Sequence, residues 1–421
     1  MTAPAQTDDR RRLKICVVGS TYPRHDADHE VSWLRRSVNL LAARGHDVTV
    51  AAPSFQGLPS HTIDGVRVRR FRYAPRRLEN LTHDQGAPNK LHNPLYQLLA
   101  LPYIVMGILA VAFWTARERF DVLHVHWPFP HGLFAVIPAL FGVKVVATCH
   151  GAELALGRKK KWIARVLGWV LRRADVLGCN STHTAREVAA VSGRAATIVP
   201  YGATTRCEPP RPRNPAPAGP ATILFSGRLI QRKGLPYLIR ALPAVLKVRP
   251  VRLLITGHGD RRAELEALTC ELGLEASVTF LGFVSTEQLG ELYRHCDLYV
   301  HPAIFDDKGD TEGLGVVLIE ALMNERPVVA SAVGGIVDVI EHEVTGLLVP
   351  EKDEHALAAA MLRVLADPAL AQRLGRAGRI FAERHFDWAR ITDETEALYF
   401  RALDRTLQAA ASDLKGAACA A

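Results

Sequence analysis

Along the first half of the chain, short β-branched and aliphatic runs alternate with stretches of helical periodicity. The runs are Ile15 to Gly19, Val48 to Ala51, Val122 to His126, Lys144 to Thr148, Val176 to Cys179 and Thr197 to Val199. The second half repeats the punctuation with Thr222 to Ser226, Arg252 to Thr256, Val278 to Leu281, Leu298 to His301, Pro327 to Ala330 and Gly346 to Val349. Apolar runs of strand length, each followed by a helical pattern, predict βαβ units and parallel sheets. Two α/β domains follow, each Rossmann-like and covered by helices. Between them Cys207 to Pro220 is too proline-rich for a helix or inner strand and reads as a stiff linker. The expected division is an amino-terminal domain over 1–205, a linker over 206–220 and a carboxyl-terminal domain over 221–385.

One apolar stretch departs from this rhythm. No charged residue occurs from Leu91 to Ala116, and Leu98 to Trp114 is nearly all apolar. Composition alone would allow a spanning helix. Spanning would place the strand-like Lys14 to Val18 and Val122 to His126 on opposite sides of a bilayer, whereas both belong to one sheet. A buried or membrane-dipping helix bent near Pro102 is expected instead.

Composition narrows the class without naming the chemistry. At 421 residues the chain exceeds the size at which one core stops growing, and 48% apolar with 23% charged residues is ordinary for a soluble globular protein. A formal charge of +9 favours anionic partners. Seven scattered cysteines without a CxxC pair point to reduced thiols in a cytoplasmic setting. The first residues lack an apolar stretch of secretory-signal length, so the amino-terminal domain is expected to stay where it is made.

In open α/β sheets ligands bind beyond the carboxyl ends of strands. Ser226 to Gly234 there forms a glycine-bracketed basic turn ahead of an amphipathic helix over Leu235 to Leu246. Arg228 can fork onto phosphate oxygens and Lys233 adds a point charge. In Asp310 to Leu322, Glu312 and Glu320 flank two glycines and the start of an apolar helix. The glycines let the backbone N–H groups of Leu314, Gly315 and Val316 approach a phosphate at the helix's positive end. Eight helical residues span roughly 12 Å, enough for one carboxylate to meet a sugar and the other a ribose across a diphosphate. Alternatively the pair is a capping glutamate and a solvated one.

In the first half His150 and Gly151 end a strand, where His150 can reach a transferred sugar; Glu153, Gly19 and His29 are further candidates for the cleft wall. His124, His126 and His131 could suggest a metal site, but the HxH pair on a strand points both rings to one face without an evident third ligand, and Asp26-Ala-Asp28 reads as a solvated loop. No metal site is expected. No GxGxxG follows the first strand, which removes support for a nicotinamide or flavin enzyme. Arg158 to Arg173 has helical periodicity with Arg158, Arg165 and Arg172 recurring every seven residues beside Trp162. It reads either as a contact with an anionic membrane surface or as a core helix with a solvated basic face.

Taken together, His150-Gly151, Tyr201-Gly202, Gly227-Arg228 with Lys233-Gly234, the Glu312 to Glu320 motif, and Val333 to Asp338 with Gly346-Leu347 make the chain resemble the family 4 retaining glycosyltransferases of GT-B fold. The resemblance implies a nucleotide diphosphate sugar as donor, bound by the second domain, and no cofactor or metal. By it Arg228 and Lys233 hold the diphosphate, Glu312 a sugar hydroxyl, Glu320 the ribose, and His150 the sugar from the opposite wall. Gly334 and Gly335 shape the neighbouring loop. The implied acceptor is a glycan or lipid-linked glycan, as in bacterial glycan or glycolipid assembly, and no nucleic acid partner is expected. Residues 386–405, opening Phe386-Asp-Trp388, resemble the family's helix that crosses back to the first domain, with 406–421 a flexible tail. Where many relatives carry a glycine pair after the first strand, this chain has Asp26 to Glu30. A sugar-nucleotide epimerase of the same architecture and a non-catalytic sugar-nucleotide scaffold are the alternative readings.

Overall fold

The computed structural model describes residues 11–28, 30–83, 90, 93–204 and 219–404. His29, most of the proline-rich linker and the segment after 404 lie outside the described residues. In the first half the strands are Lys14–Val18 (β1), Asp47–Pro53 (β2), His61–Ile63 (β3), Val66–Phe71 (β4), Val122–His126 (β5), Lys144–Cys149 (β6), Val176–Cys179 (β7) and Thr197–Ile198 (β8). They form one sheet in the order β3-β4-β2-β1-β5-β6-β7-β8, parallel except where β3 meets β4. In the second half Ala221–Ser226 (β9), Val251–Thr256 (β10), Val278–Gly282 (β11), Leu298–His301 (β12), Val328–Ser331 (β13) and Leu347–Val349 (β14) form a parallel sheet in the order β11-β10-β9-β12-β13-β14.

The first-half helices are Ser32–Ala43 (α1), Pro94–Glu118 (α2), Pro128–His131 (α3), Val136–Leu140 (α4), Ala152–Lys159 (α5), Lys161–Arg173 (α6) and Thr182–Ser192 (α7). Those of the second half are Leu235–Leu246 (α8), Arg262–Glu271 (α9), Thr286–His295 (α10), Val316–Met323 (α11), Glu354–Ala366 (α12) and Pro368–His385 (α13). Each sheet carries a core on both faces: the clusters around Phe134 and Tyr22 flank the first, those around Phe225 and Tyr299 the second. Two-sided burial is why these strands read as unbroken apolar runs. A last helix, Trp388–Leu403 (α14), packs against β6, β7 and α1 of the first half. Buried Glu396 ties it there, bonding Arg44 at 2.8 Å and His46 at 3.0 Å.

Every strand expected from sequence is present, its ends displaced by two residues at most. The β3–β4 hairpin was not expected. Asp64 and Gly65 connect it, both at positive φ, as a two-residue primed turn requires. The pairing of Val18 with Val125 places β1 and β5 side by side, which excludes a bilayer between them.

The first-half helices narrow one expectation and overturn another. α2 is not fully buried: one face packs on the core, while Leu98, Leu101, Leu109 and Phe113 are exposed, and Pro102 lies within the helix; this removes the buried alternative and leaves the membrane-dipping one. The basic segment is not one helix, because Lys160 adopts an extended conformation between α5 and α6. Arg158 therefore leaves the basic face, pairing with Glu187 and donating to the Gly309 carbonyl at 2.5 Å.

Candidate active site

The second sheet reverses strand order between β9 and β12, the position at which open α/β sheets bind ligands. β9 runs into Gly227 and Arg228, and β12 ends at His301. The turn after β9 closes against β12 because residue 234 is glycine. At φ 65°, a Cβ there would lie 1.8 Å from the Pro302 carbonyl oxygen. This close approach buries Lys233, whose ammonium donates to the Glu312 carboxylate and sits 3.5 Å from His301 Nε2.

Glu312 is thereby surrounded. Besides Lys233, Arg232 approaches its carboxylate at 3.3 Å and His301 at 3.2 Å. The charges of Lys233 and Arg232, helped by the His301 hydrogen bond, hold the Glu312 carboxyl well below the usual range despite its burial. Burial in turn pushes Lys233 down to about 8, even beside Glu312, and His301 to about 4. Arg228 lines the cavity without a hydrogen bond to any described residue. Three cations, Arg228, Arg232 and Lys233, thus face two carboxylates, Asp310 and Glu312. That leaves local positive charge for an anion.

The backbone from Gly313 leads into α11 through Gly315 at φ 89°. Val316 opens α11 with an amide that lacks an intrahelical partner, and the amides of Leu314 and Gly315 directly precede it at the helix's positive end, where an anion can be held. The loop rests on Gly334 and Gly335: the Gly335 N–H donates to the Glu312 carbonyl at 2.9 Å. Glu320, one helical face further on, is buried. Its carboxylate accepts from the Thr204 hydroxyl at 2.8 Å and the Tyr293 hydroxyl at 3.2 Å.

Across the cleft stands His150, after β6. Its Nδ1 contacts the Tyr201 hydroxyl, its Nε2 meets His126 Nδ1 at 2.9 Å, and Trp33 and Trp127 flank the ring. Burial depresses it to about 3, so the imidazole is neutral. Glu153 is buried behind this loop, accepting the His150 N–H at 2.7 Å, and burial raises it to about 7. A cavity of about 110 Å³ separates the walls, lined by His150, Arg158 and His183 on one side and Arg228, Arg232 and Thr311 on the other. The two halves also touch through Asp338, which accepts from the Thr182 N–H and hydroxyl at 2.6 Å each.

The structure brings His150, Arg228, Lys233, Glu312 and the Leu314–Val316 turn around one cleft. Of the expected site residues, His150 and Arg228 line the cavity itself; Lys233 and Glu312 lie buried behind it, and Leu314, Gly315, Val316, Gly19, Glu153 and Glu320 do not line it. Gly19 is buried under Leu34 and close to Trp127. Arg232 and His301 were missed by sequence reasoning. Arg232 stood inside the basic turn already singled out, whereas His301 carries no local signal beyond ending a strand. Asp28 is not solvated as expected: it is buried and binds the Arg24 side chain at 2.6 Å. The ring nitrogens of His124 are taken by Tyr399 and Thr148, and those of His131 by Tyr103 and the Trp127 carbonyl.

Two Rossmann-like domains meeting at a cleft, with a cationic glycine turn beside a helix start on one wall, define a GT-B glycosyltransferase. Residues 208–381 match the glycosyl transferases group 1 model and residues 33–202 the glycosyl transferase 4-like domain. An uncharacterized glycosyltransferase of Methanocaldococcus jannaschii is 37% identical over 182 residues, 43% of this chain, and the match spans only 45% of that relative's length. A GDP-mannose-dependent alpha-(1-6)-phosphatidylinositol monomannoside mannosyltransferase of Mycolicibacterium smegmatis is 32% identical over 58% of this chain and 67% of its own. Among solved structures, Anabaena HepE in complex with UDP-glucose superposes with a TM-score of 0.66 at 19% identity, covering 92% of this chain and 99% of that one. The chain belongs to the group 1 glycosyltransferases and is a sugar-nucleotide-binding enzyme of that family.

Proposed function

We propose that the chain is a retaining, metal-independent glycosyltransferase. It moves a hexosyl group from a nucleotide diphosphate sugar to a hydroxyl of a glycan or lipid-linked glycan at the cytoplasmic face of a membrane. The observation that carries this reading is the meeting of Arg228, Arg232 and Lys233 with the Glu312 loop at the start of α11. Such a cluster supplies the charge stabilisation that a departing diphosphate needs, the task a metal performs elsewhere. Glu312 takes a hydroxyl of the donor sugar, His150 approaches that sugar from the facing wall, and Glu320 exchanges its Thr204 contact for the ribose. The acceptor oxygen bonds to the sugar's anomeric carbon on the face from which phosphate leaves. The departing phosphate oxygen takes the acceptor's proton, so no protein nucleophile is needed. The relatives support a nucleotide donor, since one is a GDP-mannose-dependent mannosyltransferase and another has been solved in complex with UDP-glucose.

A nucleotide sugar needs more than the present cavity, since ligand pockets span roughly 300–1,000 Å³. Entry therefore requires the Arg158–Gly309 and Thr182–Asp338 contacts to part, and reclosure shields the donor from water.

A thermal-shift series with nucleotide diphosphate sugars on the wild type and Arg228→Ala tests the site. The productive donor raises the wild-type melting temperature, and the shift falls in the variant as affinity drops by about tenfold or more. Equal shifts in both proteins, or none with any donor in the wild type, would sink the reading.

A pH series gives an independent check. Lys233 is protonated below about 8 and loses its charge above. Donor affinity is expected to be flat from pH 6 to about 7.5. Above about 8 it falls by up to about tenfold per pH unit, because binding must then take up a proton. Because His150 is already neutral, no break arises near pH 6.5. Affinity that stays constant to pH 10 would contradict the assignment of Lys233 to the diphosphate.

A further inference from the structure

α2 carries no charged residue from Asn93 to Ala116, and apolar stripes run down both its sides. Leu99, Tyr103, Gly107, Val111 and Thr115 face the domain, where Gly107 admits the Phe134 ring so closely that a Cβ would come within 2.3 Å of it. On the opposite side Leu98, Leu101, Val105, Leu109 and Phe113 are open to solvent, Leu98 at 73% and Phe113 at 61% exposure. This outer stripe is about 22 Å long. Apolar patches of that extent on a soluble protein mark a contact surface.

The surface continues beyond α2. α4 packs against it and ends in Leu140 and Phe141, exposed at 80% and 82%. Phe129, in the same core cluster as Ile104 and Ile108 of α2, stacks edge-on against exposed Trp162 of α6 at 5.8 Å. The charge pattern around this layer is one-sided. From Trp127 to Val143 there is no formally charged residue, and from Leu154 to Ala174 every charged residue is a cation. Lys159, Lys160, Lys161 and Arg165 are exposed and form no ion pair with a described residue.

We propose that this face docks on an anionic lipid bilayer, with α2 lying in the interfacial plane and the lysines at the α5–α6 junction meeting lipid phosphates. An apolar stripe rimmed by cations is the pattern of a helix that lies on a membrane. A spanning role is excluded because the inner stripe of α2 is fixed to Phe134, Phe71 and His131 of its own domain. A second copy fits less well: a twofold contact places the same surface on both partners and so brings two cationic rims together.

The docked face also bears on the acceptor, and this last step rests on the function proposed above. α5 begins directly after His150 and Gly151 in the cleft and ends at Lys159, roughly 12 Å away. A hydroxyl headgroup tethered to lipid can therefore reach the cleft from the surface without leaving the bilayer. The acceptor class this selects is a lipid-anchored sugar or polyol.

The test uses the full chain and sedimentation with vesicles of phosphatidylcholine alone or with phosphatidylglycerol. Wild type is expected to bind the anionic vesicles at low salt and to weaken as salt rises. The triple variant Leu98→Glu, Leu109→Glu, Phe113→Glu should bind at least about tenfold more weakly, with an unchanged melting temperature because these side chains are exposed. Lys159→Ser, Lys160→Ser, Lys161→Ser should lose most of the salt dependence. Failure of wild type to bind, or equal binding by the triple variant, overturns the proposal. So does a wild-type dimer that the triple variant dissociates without any vesicle binding. The donor thermal shift read on the same proteins keeps the two ideas apart: vesicle binding without a donor shift upholds this surface and sinks the catalytic reading.

Discussion

Replacing Glu312 with glutamine is expected to lower the stability of the ligand-free protein by about 3 kcal/mol, while a nucleoside diphosphate stabilises the variant at least as much as wild type. Glu312 is the buried anion among Lys233, Arg232 and His301. A neutral amide leaves Lys233 and Arg232 facing each other in a desolvated space with only partly exposed Asp310 nearby. A diphosphate then becomes their main counter-charge, so the ligand recovers more of the lost free energy than it supplies to wild type. Turnover should nevertheless fall by about 10²–10³, since the carboxylate that orients the donor sugar is gone. Differential scanning with and without nucleoside diphosphate, alongside initial rates, reads all three effects. An unchanged melting temperature without ligand would mean that the ion cluster contributes no stability. Loss of the diphosphate-induced shift would mean that Glu312 serves the phosphates rather than the sugar.

The parallel strands were legible because burial on both faces writes itself into the chain as continuous aliphatic runs. The β3–β4 hairpin was not read, although Asp64-Gly65 is a strong turn signal. Its second strand alternates Val66 and Val68 with Arg67 and Arg69, which resembles a solvated segment unless the partners Asp47 and Glu118 are known. For α2 the sequence left a buried and a membrane-dipping helix undecided, for the opposite reason. Helical periodicity reports a contrast between faces, and a helix apolar on both sides offers none, so nothing in the sequence separated the stripe against Phe134 from the exposed one. The break at Lys160 lacks glycine or proline; what distinguishes the two halves is that Arg158 is drawn across the cleft.

The site was legible to the extent that its chemistry is contiguous. Arg228 and Lys233 share one turn, and Glu312 to Val316 form one loop. His301 joins them only because β12 lies beside β9, a consequence of strand order that no local pattern carries. The same limit applies to His150. Its residue type and its place after a strand were readable, but not the engagement of both ring nitrogens by Tyr201 and His126. That engagement fixes the ring's orientation while burial keeps it neutral, so its use toward a sugar requires one of these contacts to be exchanged.

Gly335→Ala is expected to reduce kcat/KM by about 10² or more, a loss far larger than the one methyl group would suggest. The argument is steric rather than conformational, because Gly335 does not occupy the left-handed region. A Cβ at this position would lie 2.1 Å from the Gly313 carbonyl oxygen, 2.7 Å from its carbon and 2.8 Å from the Leu314 Cα. All three are backbone atoms, so no side chain can rotate away. The Gly335 N–H is bonded to the Glu312 carbonyl, which ties the two segments together. Relief must therefore come from moving the Gly313–Leu314 backbone, and with it Glu312 and the start of α11. Such overpacking costs about 1–3 kcal/mol in stability, too little to unfold the domain, so the variant should remain soluble and show a native far-UV spectrum. Displacement of the anion-binding amides by on the order of 1 Å accounts for the kinetic loss. Gly157→Ala is the matched control: it lies inside α5 with its nearest neighbour at 3.5 Å, so the methyl fits and the helix gains slightly. Comparable activity in the two variants would show that the loop from Glu312 to Gly315 tolerates displacement, and would remove the helix start from the donor site.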